Sequence, residues 1–140
     1  MAKRVALKDE VMLDTSDLSD FARSVRFSSE HAQIDVSGFN ALGANEYLAG
    51  ATTQSVTIEF FGSYGTGEVH SVLYPLHKNR TSTALKWRPD QTAPVGTTNP
   101  ELRGNGLLYT YGPGATRGDV DTLEAVFHTV DSAGFQFFTT

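Results

Sequence analysis

No cysteine occurs among the 140 residues. That excludes a disulfide scaffold and a thiolate metal site, and it suits folding in a reducing cytoplasm. Long apolar runs are also missing: no window approaches the roughly 18–20 residues of a membrane span. Residues 1–10 are charged from Lys3 onward and lack the apolar stretch of a secretory signal, so none is expected. Positive charge is scarce. Lys and Arg number 11 against 16 Asp and Glu, for a net charge of −5, and the longest basic clusters are Lys3-Arg4 and Lys78-Asn79-Arg80. Gripping a nucleic-acid backbone needs clustered cations, so composition argues against it.

Recognisable catalytic chemistry is absent too. There is no Gly-x-Ser-x-Gly nucleophile elbow. The run Gly62-Ser-Tyr-Gly-Thr-Gly67 lacks the phosphate-loop lysine and the Gly-x-Gly-x-x-Gly spacing, and a turn explains it. Of the four histidines at 31, 70, 77 and 128, His70 and His77 share a helical face two turns apart. That is about 10 Å of rise, too far for one zinc, so they read as solvent-facing. Asp119, Asp121 and Glu124 read as a wet strand face rather than an acid–base pair. No catalytic, metal or cofactor-binding residue is expected, nor any cofactor.

What is present is a β protein with one helix. The 39% apolar and 11% aromatic content is that of a folded chain, and residues 1–140 fit a single domain. Val69, Val72, Leu73 and Leu76 fall at i, i+3, i+4 and i+7, predicting a short helix over about 67–77. Thr66 is its expected N-cap, Glu68 its first-turn acid, and Pro75 predicts a kink or stop. Short strand pieces are expected within 5–13, a turn at 14–17, and core plugs at Leu18 and Phe21. Residues 23–27 and 31–37 read as a hairpin, with Val25 and Phe27 on one face and Arg26, Gln33 and Asp35 among the wet positions.

Strict alternation makes 54–61 the strongest strand, followed by 82–88 with Leu85 and Trp87 inward, 102–111, 120–130 and 135–140. Tyr109 and Tyr111 read as core, and Phe135, Phe137 and Phe138 as core or an interface edge. Between strands, 38–53 mixes Gly38, Gly43 and Gly50 with Phe39, Leu42, Tyr47 and Leu48. So long an apolar loop is best understood if another subunit covers it. About eight strands at turn spacing predict a mainly β fold: an antiparallel β-sandwich or partly closed barrel, with one flanking helix and a long loop at 38–53.

The order of several short motifs carries a resemblance. Asp17-Leu-Ser-Asp20, Arg23-Ser-Val-Arg-Phe27, Asp35-Val-Ser-Gly-Phe39 and Leu48-Ala-Gly50 come first. Ser55-Val-Thr-Ile-Glu-Phe-Phe61 then leads into Glu68-Val-His-Ser-Val-Leu-Tyr-Pro-Leu76, and Thr98-Asn-Pro100 precedes a strand closing in Tyr-Gly-Pro113. Together they resemble the major tail (tail tube) proteins of long-tailed, siphovirus-type phages with actinobacterial hosts. The resemblance implies a structural virion protein and not an enzyme. Six copies would form a ring, and stacked rings a tube through which DNA passes without specific binding.

It also implies location and partners: the virion tail, assembled in the host cytoplasm, alongside a tape measure and a tail terminator. The loop and the N-terminal arm would reach other subunits, giving Phe39, Leu42, Tyr47, Leu48, Val5 and Leu7 as interface candidates. Polar strand faces would line the lumen, giving Arg26, Gln33, Asp35, Glu59 and Glu124, with Arg26 paired to Asp35. At −5 each, six copies carry −30, and a negative wall repels phosphate. Two other readings remain open: a capsid decoration or head–tail joining protein, and a monomeric ligand-binding sandwich stacking its ligand on Trp87 with Tyr109 or Tyr111.

Overall fold

The computed structural model describes Arg4, residues 6–39 and residues 43–140. Val5 and Leu42, two of the interface candidates, lie outside the described residues. The chain forms β1 (Glu10–Leu13), β2 (Ser16–Asp17), β3 (Ala22–Asp35), β4 (Tyr47–Phe61), α1 (Val69–Lys78), β5 (Thr83–Arg88), β6 (Glu101–Gly114), β7 (Thr122–Thr129) and β8 (Gln136–Phe138). The strands pair antiparallel in the order β2-β1-β5-β6-β7-β4-β3, with β8 also on β6. The sheet is not closed into a barrel; the arrangement is sandwich-like.

Period-two patterning decides the body. Val56, Ile58 and Phe60 of β4 and Leu123, Ala125 and Phe127 of β7 are buried, while Glu59 and Glu124 between them turn outward. Strand β6 joins the two wings. Its first half lies between β5 and β8, with Leu102 opposite both Trp87 and Phe137, and its second half pairs with β7. Val11, Leu13, Leu85 and Leu102 of one wing therefore meet Ile58, Leu108 and Phe127 of the other in one core. Phe27 closes the seam edge-on against Phe135 and Phe137, at 6.3 and 5.7 Å.

Two expectations about β3 and β4 do not hold in detail. Residues 23–27 and 31–37 are parts of one unbroken strand, because Ser28-Ser29-Glu30 offers no glycine, proline or asparagine to reverse the chain. The partner of β3 is β4, which starts at Tyr47, so the connection is 36–46 and the rest of the expected 38–53 loop is strand. A register shift between His31 and Gln33 lets β4 carry an extra residue there. Gly50 sits at that shift, where a Cβ would lie 3.1–3.3 Å from Ile34 and Ala32.

Helix α1 buries Val69 and Leu73, with Val72 and Leu76 packed partly behind them. Its N-cap is Glu68, without a side-chain cap bond, rather than Thr66, and no acid lies in the first turn. Pro75 stays inside the helix: so near the end its missing amide removes one bond only, and Asn79 N–H still reaches the Pro75 carbonyl at 3.0 Å. The helix stops in a paired closure. Arg80 N–H donates to the His77 carbonyl and Thr81 N–H to the Leu76 carbonyl, at 3.4 and 3.1 Å. The residue completing that turn, Arg80, has φ 54°, the left-handed region where glycine is usual and a side chain costs roughly 1–2 kcal/mol.

Since Leu73 is fully buried on the inner face of α1, Leu73→Ala should destabilise the fold by about 2–5 kcal/mol. Urea unfolding followed by circular dichroism measures this. A loss below about 1 kcal/mol would mean that the helix is not seated on the core.

Candidate functional site

Pairing registers bring three of the five lumen candidates onto one surface. Ser24, Glu59, Glu124 and Gly112 form one row across β3, β4, β7 and β6; Arg26, Thr57, Val126 and Thr110 form the next on the same side. This outward face is polar because the opposite face of the same strands supplies the core. Arg23 pairs with Glu59 at 3.2 Å and lies 6.0 Å over the Phe61 ring. Gln33 and Asp35 stand apart from the other candidates. Alternation along unbroken β3 puts them on the opposite face from Arg26. Nine residues of extended chain, about 30 Å, also rule out the Arg26–Asp35 pair.

The last row shared with β7 is Ser55 opposite His128. Beyond it, β3 and β4 continue as a two-stranded arm about 25 Å long, with no third strand beside it among the described residues. Gln54 ties the root of the arm to the last strand region: its Oε1 accepts the Phe135 N–H at 2.8 Å. On the arm the apolar side changes face. Ile34 sits directly opposite Leu48, next to Ala32 and Gly50, on the side that carries Arg26 in the body. Ile34 is 49% exposed and Leu48 58%, and Val36, Phe39 and Tyr47 are exposed as well. An isolated two-stranded ribbon is marginal in water, so this surface fits a covered role. Among its residues 28–53 are Glu30, Asp35 and Glu46 but no lysine or arginine.

The arm's turn is held by side chains. Asp35 Oδ1 accepts the Ser37 N–H at 2.8 Å, and Ser37 Oγ accepts the Glu46 N–H at 2.7 Å. Hydrogen bonds from the Ser37 hydroxyl and then the Ser37 amide hold the Asp35 carboxyl below its ordinary value. At the other interface candidate, Leu7 is exposed next to Arg4, whose guanidinium grips Asp9 at 3.1 and 3.2 Å. Asp9 also accepts the Trp87 indole N–H at 2.8 Å, and Trp87 packs against the core.

The aromatic residues do not converge on a stacking platform. Trp87 is bound to Asp9, whereas Tyr111 lies under α1 with His70, Tyr74 and His77. Tyr109 is exposed and meets His128 edge-on at 4.9 Å, because the register shift between Leu108 and Thr110 turns it out of the core. His70 is not the solvent-facing residue its spacing implied. It hydrogen-bonds the Tyr111 hydroxyl and stacks on Tyr74 at 5.2 Å. His77 Nδ1 lies 3.2 Å from the Leu108 carbonyl. Burial, helped by Tyr64 and Tyr74, raises the Tyr111 hydroxyl above its ordinary pKa. Among the described residues, no group of three or more His, Asp or Glu could hold a metal ion, and no helix is long and apolar enough to cross a membrane.

The geometry is that of an open-edged sheet with a projecting arm, and the overall fold is found in solved structures. A chain from the virion of a native gene transfer agent (GTA) particle superposes with a TM-score of 0.75 at 11% identity, over 97% of this chain and 99% of that one. The SPP1 tail tube gives 0.71 at 9% identity, over 95% and 77%. A chain from the tail of an empty GTA particle, refined with C6 symmetry, gives 0.67 at 14% identity, over 98% and 99%. At these identities the likeness is one of fold: a fold found in phage and phage-like tails. No family model matches the chain, and no curated protein matches it either.

Because the folded pKa of Asp35 is depressed, the tether it provides is present at neutral pH and is lost as pH falls through that depressed value, below the ordinary 3.8. The Ser37 amide proton should therefore shift in an NMR titration at acid pH, and Asp35→Ala should abolish the step. A Ser37 signal that titrates identically in the variant contradicts this assignment.

Proposed function

We propose that this chain is the subunit of a phage tail tube, a structural protein whose copies close into sixfold rings that stack around a DNA channel. The observation that carries the reading is a four-stranded unit, β6-β7-β4-β3, open along both edges. The outer edge of β3 has no strand partner among the described residues, and β6 loses its β5 neighbour beyond Gly106. A sheet with two open edges and a core on one face extends naturally by joining copies edge to edge, and rotation closes such a head-to-tail contact into a ring. The tail-tube fold of the neighbours and the C6 symmetry of one of them support it.

In that ring the polar outward face lines the channel, so Arg26, Glu59 and Glu124 are lumen residues. Gln33 and Asp35 belong to the arm, on its other face. The net charge of −5 per copy disfavours adhesion of phosphates, which suits a conduit. Phe39, Tyr47, Leu48 and Leu7 are assigned to subunit contacts on their exposure; Val5 and Leu42 are assigned with them on sequence alone. The site of action is the virion tail, after assembly in the host cytoplasm, with a tape measure and a tail terminator as partners. An actinobacterial, siphovirus-type origin rests on the motif order.

Negative-stain microscopy of the concentrated protein tests the reading: sixfold rings or tubes are the expected images. Trimers would favour a decoration role, and a persistent monomer absent from virions would sink the tube. Ile34→Asp with Leu48→Asp should leave the melting temperature of the free subunit within about 2 °C, because neither residue belongs to the core. The same pair should raise the concentration needed for assembly at least about tenfold, since each buried aliphatic contributes about 1.5–3 kcal/mol. Sedimentation measures both the monomer and the assembled fraction.

A further inference from the structure

A groove of about 500 Å³ runs between the end of α1 and the open edge of β6. Its apolar floor is Tyr74, Leu107, Leu108 and Tyr109, and Lys78 and Arg80 stand at its rim. Both cations are exposed, and neither enters an ion pair among the described residues. Arg80 is also the residue held in the left-handed conformation that glycine adopts more cheaply. A side chain retained at such a position is explained if the guanidinium itself has work to do.

The arm supplies the complementary surface. It carries Glu30, Asp35 and Glu46 without a compensating lysine or arginine, and its apolar strip holds Ile34 and Leu48. Placement agrees as well. Leu107 pairs with His128, His128 with Ser55, and Ser55 with Ser28, so groove and arm root lie at the same end of the four-stranded unit, on opposite edges. Joining copies edge to edge sets the arm root of one beside the groove of the next.

We infer that the cationic groove formed by Tyr74, Lys78, Arg80 and Leu107–Tyr109 receives the acidic arm of a neighbouring copy. This rests on the ring reading and names the surface that takes the arm. Contact begins near Glu30, the first acid beyond the arm root, where a carboxylate meets the Lys78–Arg80 pair. The apolar side of the arm then covers the Leu107–Tyr109 floor.

The test is charge reversal on each side and on both. Lys78→Glu with Arg80→Glu should raise the concentration for half-assembly about tenfold or more, as should Glu30→Lys. The three changes together should return it to within about threefold of the wild type, because the attraction is restored with inverted sign. Arg80→Gly separates docking from folding: its melting temperature should equal or exceed that of the wild type while assembly weakens. Reversed variants that assemble like the wild type, or a combined variant no better than either half, overturn the groove assignment and leave the ring reading standing. A wild-type protein that never forms rings overturns the ring reading, and the groove with it.

Discussion

The architecture depends on β6 serving two sets of partners in succession. A strand paired with β5 as far as Gly106 and with β7 from there onward carries the chain from one wing to the other as a single element. The crossing needs room where the wings converge. At Gly104 a Cβ would collide with Phe135, and at Gly106 it would press to 3.1 Å from the same ring, so the ring that seals the seam occupies space that these glycines leave open. From there Phe135 reaches Phe27, and through its own backbone Gln54, joining the end of the chain to the root of the arm. The free edge of β6 and the position of α1 beside it follow from the same change of partners.

Alternation and helical spacing read correctly wherever a residue's role is decided by its immediate neighbours. Val56, Ile58 and Phe60 alternate because one side faces the core, and Val69 and Leu73 fall on one stripe for the same reason. The arm defeated that logic. Its alternation says which residues share a face but not that the apolar face has moved to the other side of the ribbon, so Ile34 and Leu48 fitted a loop or a small hairpin as well as an extended strand. Tyr109 and His70 escaped for another reason. Their environments are made by a register shift and by Tyr111, a residue 41 positions from His70. The exposed Phe39 was recognisable because it is apolar in a segment with no periodicity of its own, whereas Leu7, also exposed, was singled out through the family resemblance. The groove at the end of α1 was not, since it comes from bringing 74–80 against 107–109 in space.

On the tail-tube reading proposed above, function would reside in surfaces rather than in a reactive centre. The polar outward face, the two open edges and the arm are each ordinary β features, and each is incomplete alone. Their joint presence would give the proposed ring its directionality: β3 and β6 present different edges, so a β3-to-β6 contact is head to tail rather than two-fold symmetric. The fold is shared at 9–14% identity, so it accommodates wide change in its side chains.

The composition of the arm has a consequence for the protein before it assembles. A protruding two-stranded ribbon with an apolar stripe is a template on which identical ribbons could zip into a fibre inside a crowded cell. Each ribbon carries Glu30, Asp35 and Glu46 with no lysine or arginine to offset them, so two laid together bring net negative charge against net negative charge. At physiological salt, charges within about 8 Å are not screened from one another, so that encounter is repulsive. If the chain assembles as proposed, the carboxylates would act as spacers among unassembled copies, keeping their apolar stripes apart until a surface of the opposite sign meets them.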